Sequence, residues 1–215
     1  HDVPGLIELI GGDRAFIAKL DEMLAAEPTF DVGEYRGVIH EMTEMVACNM
    51  GQYAHGNQPV HHVLYLYNFA GAPWKTAAPV RQVVDELYGP GPDGYCGDED
   101  NGQMSAWYLF STLGFYPVCP GKAGYVIGSP RFSRATINLP EGRKLVIESP
   151  GVSDSAMHVA SLRINGEPVT RSWIRHDEIV RGGKLTFVMS TEPSRSWGSA
   201  AQDRPFVDDR AKDTP

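Results

Sequence analysis

The chain has 215 residues, of which 42% are hydrophobic, and this is enough for one or two domains with a buried core. Its formal net charge of −8 argues against nucleic acid or an anionic membrane surface as the main partner. No apolar run approaches the roughly 20 residues of a transmembrane helix, so we expect a soluble protein with no membrane partner.

The start of the chain and its cysteines give little information on their own. The chain begins at His1 without an initiator methionine, a basic leader or an apolar leader segment, which predicts a piece of a longer polypeptide. Its three cysteines, at positions 48, 96 and 119, form no Cys-x-x-Cys motif. They fit either one disulfide and one thiol or three thiols, so their redox state stays open.

The first 118 residues carry a helical pattern. Apolar residues recur at helical spacing and predict helices over 13–24, 60–69, 79–87 and 103–113. The last of these is apolar on nearly all sides, so we expect it to lie buried between neighbours. Long connections rich in glycine, histidine and carboxylates separate the helices, and long ordered loops are frequently functional.

After residue 118 the period changes to two, which indicates short β-strands. The predicted strands cover 125–127, 135–139, 144–148, 162–164, 172–174 and 184–189. Asn165-Gly166, directly after one of them, predicts a hairpin turn. The polar segment 191–215 predicts a covering segment or a frayed tail. We therefore predict an α+β fold, with a helical portion at 1–118 and an antiparallel β-rich portion at 119–215.

The segment 97–102 holds three consecutive carboxylates, Asp98, Glu99 and Asp100, between two glycines. No lysine or arginine lies between positions 82 and 121, so their mutual repulsion is uncompensated in the sequence. This pattern predicts a loop that presents carboxylates to a cation, a water or a sugar at the start of a helix, whose N-terminus favours ionised acids. The alternative is an acidic helix cap with two solvated neighbours.

The acidic segment resembles the front of an EF-hand calcium loop, but Leu109 occupies the position of the required glutamate. A second cluster, 40–44, is not a zinc-protease motif because Glu44 stands where the second histidine is needed. On a helix, His40 and Glu44 would share one face. An exposed polar face without function is the alternative for this cluster.

A third cluster, 52–62, contains His55, Asn57 and two adjacent histidines, His61 and His62. Adjacent histidines point to opposite sides of a helix, and no nearby cysteine completes a zinc site. The dense neutral donors and acceptors suit the recognition of hydroxyl groups better, while hydrogen-bonded structural histidines are the alternative.

These clusters combine uncompensated acids, amide-rich loops and aromatic residues on a helical scaffold, which is the profile of a carbohydrate site. Glycoside hydrolysis uses two carboxyl groups, one to protonate the leaving oxygen and one to act on the other face of the ring. Six aromatic residues could stack on a sugar ring, although a place in the core is more typical at helical spacing. They are Tyr53, Tyr65, Tyr67, Trp74, Trp107 and Tyr108.

Several long motifs in a fixed order carry a resemblance to one known family. They lie at 39–42, 51–59, 67–76, 97–108, 114–121, 125–130 and 193–198. Together they resemble glycoside hydrolase family 92, the calcium-dependent inverting exo-α-mannosidases. The resemblance covers residues 1 to about 198.

The resemblance implies the later helices of an (α/α)6 barrel at 1–118, followed by a C-terminal β portion. It implies that Asp100 is the general base that activates water and that Asp98 is its partner. His40 and Glu41 match positions on the leaving-group side of the pocket.

The resemblance also bears on ligands. His55 and Asn57 are candidate substrate-binding residues in the third cluster. The expected cofactor is Ca²⁺, which would engage the mannose 2- and 3-hydroxyls, with Glu44 and Asp100 as candidates for its shell. The expected substrates are mannose-terminated glycans such as N-glycan or mannan ends, with an α-1,2 linkage.

One departure from the family pattern concerns the general acid. In the family it is a glutamate in a segment upstream of the stretch that 1–5 resembles, and this chain does not include that segment. We therefore expect an incomplete, inactive piece whose partner is the missing N-terminal part of the same secreted or periplasmic enzyme. The alternative function is a non-catalytic carbohydrate-binding or structural module.

Overall fold

The computed structural model describes residues 2–206, so His1 and 207–215, the end of the predicted tail, lie outside the described residues. The first part of the chain is helical, as the periodicity predicts. Its α-helices are α1 (Val3–Ile10), α2 (Asp13–Ala25), α3 (His40–Cys48), α4 (Ala77–Glu86) and α5 (Gln103–Leu113). Short 3-10 turns occur between them at Gly33–Tyr35, Gln58–Val60, Val63–Asn68 and Pro73–Lys75. The predicted helices over 13–24, 79–87 and 103–113 are confirmed within a few residues.

The predicted α-helix over 60–69 is wrong, because this segment forms 3-10 turns instead. Its backbone bonds connect residues three apart, for example from the N–H of Phe69 to the carbonyl of Leu66 at 3.1 Å. The Asn68 side chain donates to the carbonyl of Tyr65 at 3.2 Å, a local bond of the kind that competes with helical pairing.

Helix α5 is buried or half-buried along its length except at Leu109. Met104 and Trp107 are fully buried, whereas Leu109 is 60% exposed. The expectation that this helix lies buried between its neighbours is therefore confirmed apart from Leu109. Gly114 ends the helix in the left-handed conformation, and its N–H bonds back to the carbonyls of Phe110 and Ser111.

The β part contains two sheets. The smaller sheet has the order β1–β2–β7 and is formed by β1 (Phe115–Tyr116), β2 (Gly124–Ile127) and β7 (Trp173–Arg175). The larger sheet has the order β3–β4–β8–β5–β6 and is formed by β3 (Arg134–Asn138), β4 (Lys144–Glu148), β5 (His158–Ile164), β6 (Glu167–Val169) and β8 (Gly183–Ser190). A short helix, α6 (His176–Val180), and two 3-10 turns, Pro140–Gly142 and Ala201–Asp203, complete the described elements.

The prediction of an antiparallel β portion needs a correction. β4 and β8 pair in parallel, with Leu145 opposite Gly183, so the larger sheet is mixed. The parallel pair is possible because the β5–β6 hairpin and β7 form the long crossover between them. The hairpin turn predicted at Asn165-Gly166 is confirmed, since it joins β5 to β6 with Leu162 opposite Val169.

Two apolar clusters form the core, and each contains residues from both sides of position 118. The first joins the helices to Val126, Trp173 and Phe206, and the second joins Phe115 to the larger sheet. The division into separate portions at 1–118 and 119–215 stays a prediction. Arg204 forms a 2.7 Å ion pair with Asp13, so the described end of the polar segment covers the helical part.

The helices of residues 2–206 include none that combines the length and apolarity needed to cross a membrane.

Candidate active site

The middle acid of the acidic segment caps helix α5. The Glu99 carboxylate accepts hydrogen bonds from the N–H of Gly102, from the Ser105 N–H at 3.2 Å and from the Ser105 hydroxyl at 2.8 Å. The Ser105 hydroxyl, followed by the Gly102 N–H, holds the pKa of Glu99 below its usual value. Ser105 in turn accepts from the Tyr95 hydroxyl at 2.7 Å. The acidic helix cap considered from the sequence is therefore present: Glu99 accepts the hydrogen bonds at the start of α5.

The cap leaves the two flanking acids free. Asp98 and Asp100 are exposed, and neither carboxylate has a hydrogen-bond or ion-pair partner among residues 2–206. Asp100, Asn101 and Gly102 all adopt positive φ, at 50°, 56° and 99°. This left-handed run is unusual for non-glycine residues and turns the chain sharply into α5. Glu99 thereby holds the helix start, while Asp98 and Asp100 are available to solvent or ligand.

Helix α3 brings the second predicted cluster next to this loop. His40 Nδ1 lies 2.9 Å from Glu44 Oε1, which confirms that the two residues share one face. The hydrogen bond to Glu44 raises the pKa of His40, and the negative charges of Glu41 and Asp98 raise it further. The two clusters therefore meet, since the charge of Asp98 acts on His40 across the gap between loop and helix.

The other oxygen of Glu44 is unusual. Oε2 is buried and has no hydrogen-bond partner among the described residues. It faces the backbone of two glycines, because a Cβ placed on Gly56 or Gly97 would lie 2.8 or 3.0 Å from it. A Cβ on Gly97 would also lie 2.6 Å from the Gly56 Cα, so the two loops touch backbone to backbone. Only glycine permits this approach.

A cavity of about 590 Å³ opens beside these glycines. Glu44 and Asp98 line it, as do Cys48, Cys96, Tyr88 and Tyr95. The remaining predicted site residues, His40, Glu41, His55, Asn57 and Asp100, are not part of its lining among the described residues. Gln58 fixes the loop here, since its Nε2 donates to the Asp98 carbonyl at 2.6 Å.

His55 is surrounded by aromatic side chains, and its role in binding substrate stays a prediction. Its side chain is fully buried, and its ring nitrogens lie 2.9 Å from the hydroxyls of Tyr53 and Tyr88. Burial holds the pKa of His55 well below its usual value, so the ring is neutral. Because the Tyr88 hydroxyl donates to the Met104 carbonyl, a consistent assignment lets Tyr53 donate to Nδ1 and Nε2–H donate to Tyr88. His55 therefore ties the third cluster to α5.

His61 serves the same purpose. Its Nε2 lies 3.0 Å from the His55 carbonyl and must donate to it, which leaves Nδ1 to accept from Gln103 Nε2 at 3.1 Å. Trp107 Nε1 donates to the His61 carbonyl at 2.9 Å. Burial lowers the pKa of His61 to about 4. The histidine-rich segment is thus a buried scaffold for the loops, and Asn57 remains half-buried at its edge.

Two of the three cysteines also meet here. The interaction between the two thiols lowers the pKa of Cys48 and raises that of Cys96. All three cysteines are present as thiols in the structure.

The fit of calcium depends on the oxygen donors. The buried, unpartnered Oε2 of Glu44 suits a hard cation, which prefers carboxylate oxygens. However, residues 2–206 contain no group of three or more histidine, cysteine, aspartate or glutamate side chains arranged to hold a metal. Calcium takes six to eight oxygens, so this part of the chain does not form a complete calcium shell by itself.

Several residues that build the site escaped the sequence analysis. Tyr88 follows a predicted helix and Gln103 lies inside one, so neither stood out by pattern. Gln58 was recognised only as part of an amide-rich segment. The sequence shows both Gly56 and Gly97, but it does not show that they touch, because no sequence rule pairs glycines 41 positions apart. Of the aromatic candidates, Trp107, Tyr53, Tyr65 and Tyr67 are buried core residues.

The geometry defines a class of site: two free carboxylates on a loop and, on the neighbouring helix α3, a glutamate with one buried, unpartnered oxygen. Comparison with known proteins specifies it further. The model of the glycosyl hydrolase family 92 catalytic domain matches residues 1–191. The chain therefore belongs to glycosyl hydrolase family 92.

Individual relatives agree with this assignment. An uncharacterized secreted glycosidase of Arthroderma benhamiae is 27% identical over 208 residues, which are 95% of this chain and 24% of that protein. A family GH92 inverting mannosidase from Bacteroides thetaiotaomicron is 50% identical with a TM-score of 0.81, covering 96% of this chain and 28% of that one. A GH92 α-mannosidase from the same organism, in complex with mannoimidazole, is 36% identical with a TM-score of 0.79, covering 90% and 24%.

The chain thus spans about a quarter of the length of these relatives, with 24% to 28% of each covered. Its mixed α+β architecture is similar to that of the GH92 structures.

Proposed function

We propose that this chain is part of an exo-acting α-mannosidase that releases mannose from glycan ends with inversion of configuration. The observation that carries the proposal is that the three acids of this family 92 chain have different roles in the acidic segment. The Glu99 carboxylate is hydrogen-bonded to the start of α5, whereas the carboxylates of Asp98 and Asp100 are free. The mannosidase relatives, one bound to mannoimidazole, support mannose-containing substrates.

In this proposal Asp100 is the general base. An inverting hydrolase places one carboxylate on the face of the sugar opposite the leaving group, where it removes a proton from the attacking water. Asp100 is exposed and unpartnered, so its carboxylate is able to accept that proton. Asp98 shares the segment and keeps the local field negative, which favours the transfer of a proton towards the pair. His55 and Tyr88 hold the adjoining loops in place.

His40 and Glu41 contribute to the leaving-group side. Both lie on the first turn of α3 and are partly or largely exposed, and their mutual approach is 3.5 Å between Nε2 and Oε1. Their donors and acceptors are able to bind the hydroxyls of the next sugar. The general acid is proposed to come from the part of the enzyme outside this chain, since the chain covers about a quarter of its relatives. The helices at 1–118 are then one part of an (α/α)6 barrel.

Calcium enters the proposal with a limited role. Glu44 would supply one oxygen through Oε2, Asp100 would contribute through water, and other groups would complete the shell. When bound, the ion would polarise and orient sugar hydroxyls. No proton-transfer step depends on it here. A substrate with an α-1,2 linkage and a secreted or periplasmic location complete the proposal, and the secreted relative supports the latter.

The decisive experiment is Asp100→Asn in the full-length enzyme. Asparagine tolerates the positive φ of 50° and keeps the size of the side chain, so the loop stays in place. Loss of the base should reduce kcat on an aryl α-mannoside by about 10²- to 10⁴-fold. Anomer-resolved NMR of the wild-type reaction should show β-mannose as the first product.

Asp31→Asn is the matched control. Asp31 accepts a hydrogen bond from the Gly33 N–H in an exposed turn, and asparagine retains that acceptor. Its kcat should equal that of the wild type. Wild-type turnover by Asp100→Asn, or release of α-mannose, would contradict the mechanism. Mannoside binding without any hydrolysis by the full-length protein would favour the non-catalytic carbohydrate-binding module instead.

A further inference from the structure

A pair of thiols from distant parts of the sequence meets at the edge of the acidic segment. Cys48 is the last residue of α3, and Cys96 lies two residues before Asp98. Both line the cavity of about 590 Å³, and Glu44, one turn before Cys48 on α3, has its Oε2 only 3.0 Å from where a Cβ on Gly97, the neighbour of Cys96, would lie. The third cysteine, Cys119, lies beyond β1 and is absent from that lining among the described residues. The structure therefore distinguishes one pair from one single thiol, which the sequence left open.

The two thiols differ in access. Cys48 is buried, at 5% exposure, whereas Cys96 is half-buried and reached from the cavity. The Gly56 backbone contributes to lowering the pKa of the Cys48 thiol. A Cβ on Gly56 would lie 2.7 Å from the Cys96 carbonyl oxygen, so α3, Gly56 and Cys96 are packed against one another. A bond between the sulfurs would thus join segments that already touch.

We propose that Cys48 and Cys96 form a reversible disulfide that clamps the acidic segment against helix α3. The oxidant is a disulfide, either of low molecular weight or in an oxidoreductase. The thiolate of one cysteine attacks one sulfur of this oxidant, forms a mixed disulfide and expels one thiolate. The thiolate of the other cysteine then attacks the mixed disulfide at the cysteine sulfur and expels the second thiolate. Two cysteine thiols are oxidised, the oxidant is reduced to two thiols, and the two cysteine protons are transferred to them.

The clamp acts on the position of the carboxylates. Cys96 is bonded to Gly97, whose backbone contacts Gly56 and Glu44, and Asp98 follows directly. Fixing the Cys96 sulfur therefore restricts the distance between the acidic segment and α3. This consequence for turnover rests on the proposed mannosidase function, whereas formation of the bond does not.

The bond is tested by peptide mapping of the full-length protein. One sample is treated with oxidised glutathione and one with a phosphine reductant, and each is then denatured, alkylated and digested. Oxidation should yield a cross-linked peptide pair containing Cys48 and Cys96, with Cys119 alkylated. The Cys119→Ser variant should keep this cross-link. Alkylation of both Cys48 and Cys96 after oxidation, or a cross-link to Cys119, overturns the proposal.

Turnover on an aryl α-mannoside tests the clamp. The oxidised enzyme should exceed the reduced enzyme in kcat by on the order of tenfold, since ångström-scale misplacement of catalytic groups slows reactions strongly. Cys96→Ser and Cys48→Ser should each have the kcat of the reduced wild type, and oxidised glutathione should not change it. Cys119→Ser should respond as the wild type does.

The two proposals fail in different ways. A cross-link without any change in kcat overturns the clamp while leaving the mannosidase assignment intact. Absence of mannosidase activity in both redox states overturns the proposed function, and the peptide map then still decides whether the bond forms.

Discussion

The contact between Gly97 and Gly56 offers a direct test of how the acidic segment is positioned. In Gly97→Ala the new Cβ would lie 2.6 Å from the Gly56 Cα, 2.7 Å from the Gly56 oxygen and 3.0 Å from Glu44 Oε2. Carbon atoms prefer to lie about 3.5–4.0 Å apart, so the loops must separate by about 1 Å. Two of the three opposing atoms belong to backbone, which cannot rotate away as a side chain does.

The expected magnitude follows from this displacement. A misplacement of about 1 Å can cost about 10²-fold in rate, equivalent to about 2.7 kcal/mol of transition-state stabilisation. Overpacking of a well-packed contact should also lower the free energy of unfolding by about 1–3 kcal/mol. The variant should therefore lose about 100-fold in kcat/KM and remain folded.

The assay measures kcat/KM of the full-length enzyme on an aryl α-mannoside, together with urea unfolding. Gly121→Ala is the control, because a Cβ there meets no atom within 4 Å and its φ is not in the left-handed range. It should leave both quantities unchanged. Gly97→Ala with a kcat/KM within twofold of the wild type would refute the view that this close approach positions the acids.

Three further predictions concern the protonation of His61 and the binding of calcium. Burial lowers the pKa of His61 to about 4, so between the usual value of 6.5 and about 4 the unfolded chain binds a proton that the folded chain does not. The free energy of unfolding should therefore fall with decreasing pH over this window, with a contribution from His61 of up to about 1.4 kcal/mol per unit. A His61 ring that already titrates near 6.5 by NMR in the folded protein contradicts this. Chelation with EDTA should abolish mannosidase activity and added Ca²⁺ should restore it, whereas full activity in the chelator argues against the metal. Glu44→Gln replaces one carboxylate oxygen by an amide nitrogen and removes the negative charge. It should weaken calcium binding, measured as a higher calcium concentration for half-maximal activity.

Local patterns predicted most of the elements because local forces decide them. The helix 103–113 and the strand 144–148 follow from apolar periodicity, and the hairpin at 165–166 follows from its turn residues. The 3-10 turns at 63–68 were missed because a buried asparagine side chain competes for a backbone carbonyl. The parallel pairing of β4 and β8 was missed because strand direction depends on the path of the whole chain.

The sequence by itself determined the chemistry that is available: three uncompensated acids before a helix, a histidine and two glutamates on one face, and motifs of family 92. It could not assign separate tasks to the three acids, since adjacent carboxylates look alike in sequence. Tertiary structure decided that Glu99 caps α5 while Asp98 and Asp100 stay free. It also buried His55 as a support and brought two cysteines together. These outcomes depend on contacts between residues far apart in the chain, where burial and close approach fix which polar atoms find partners.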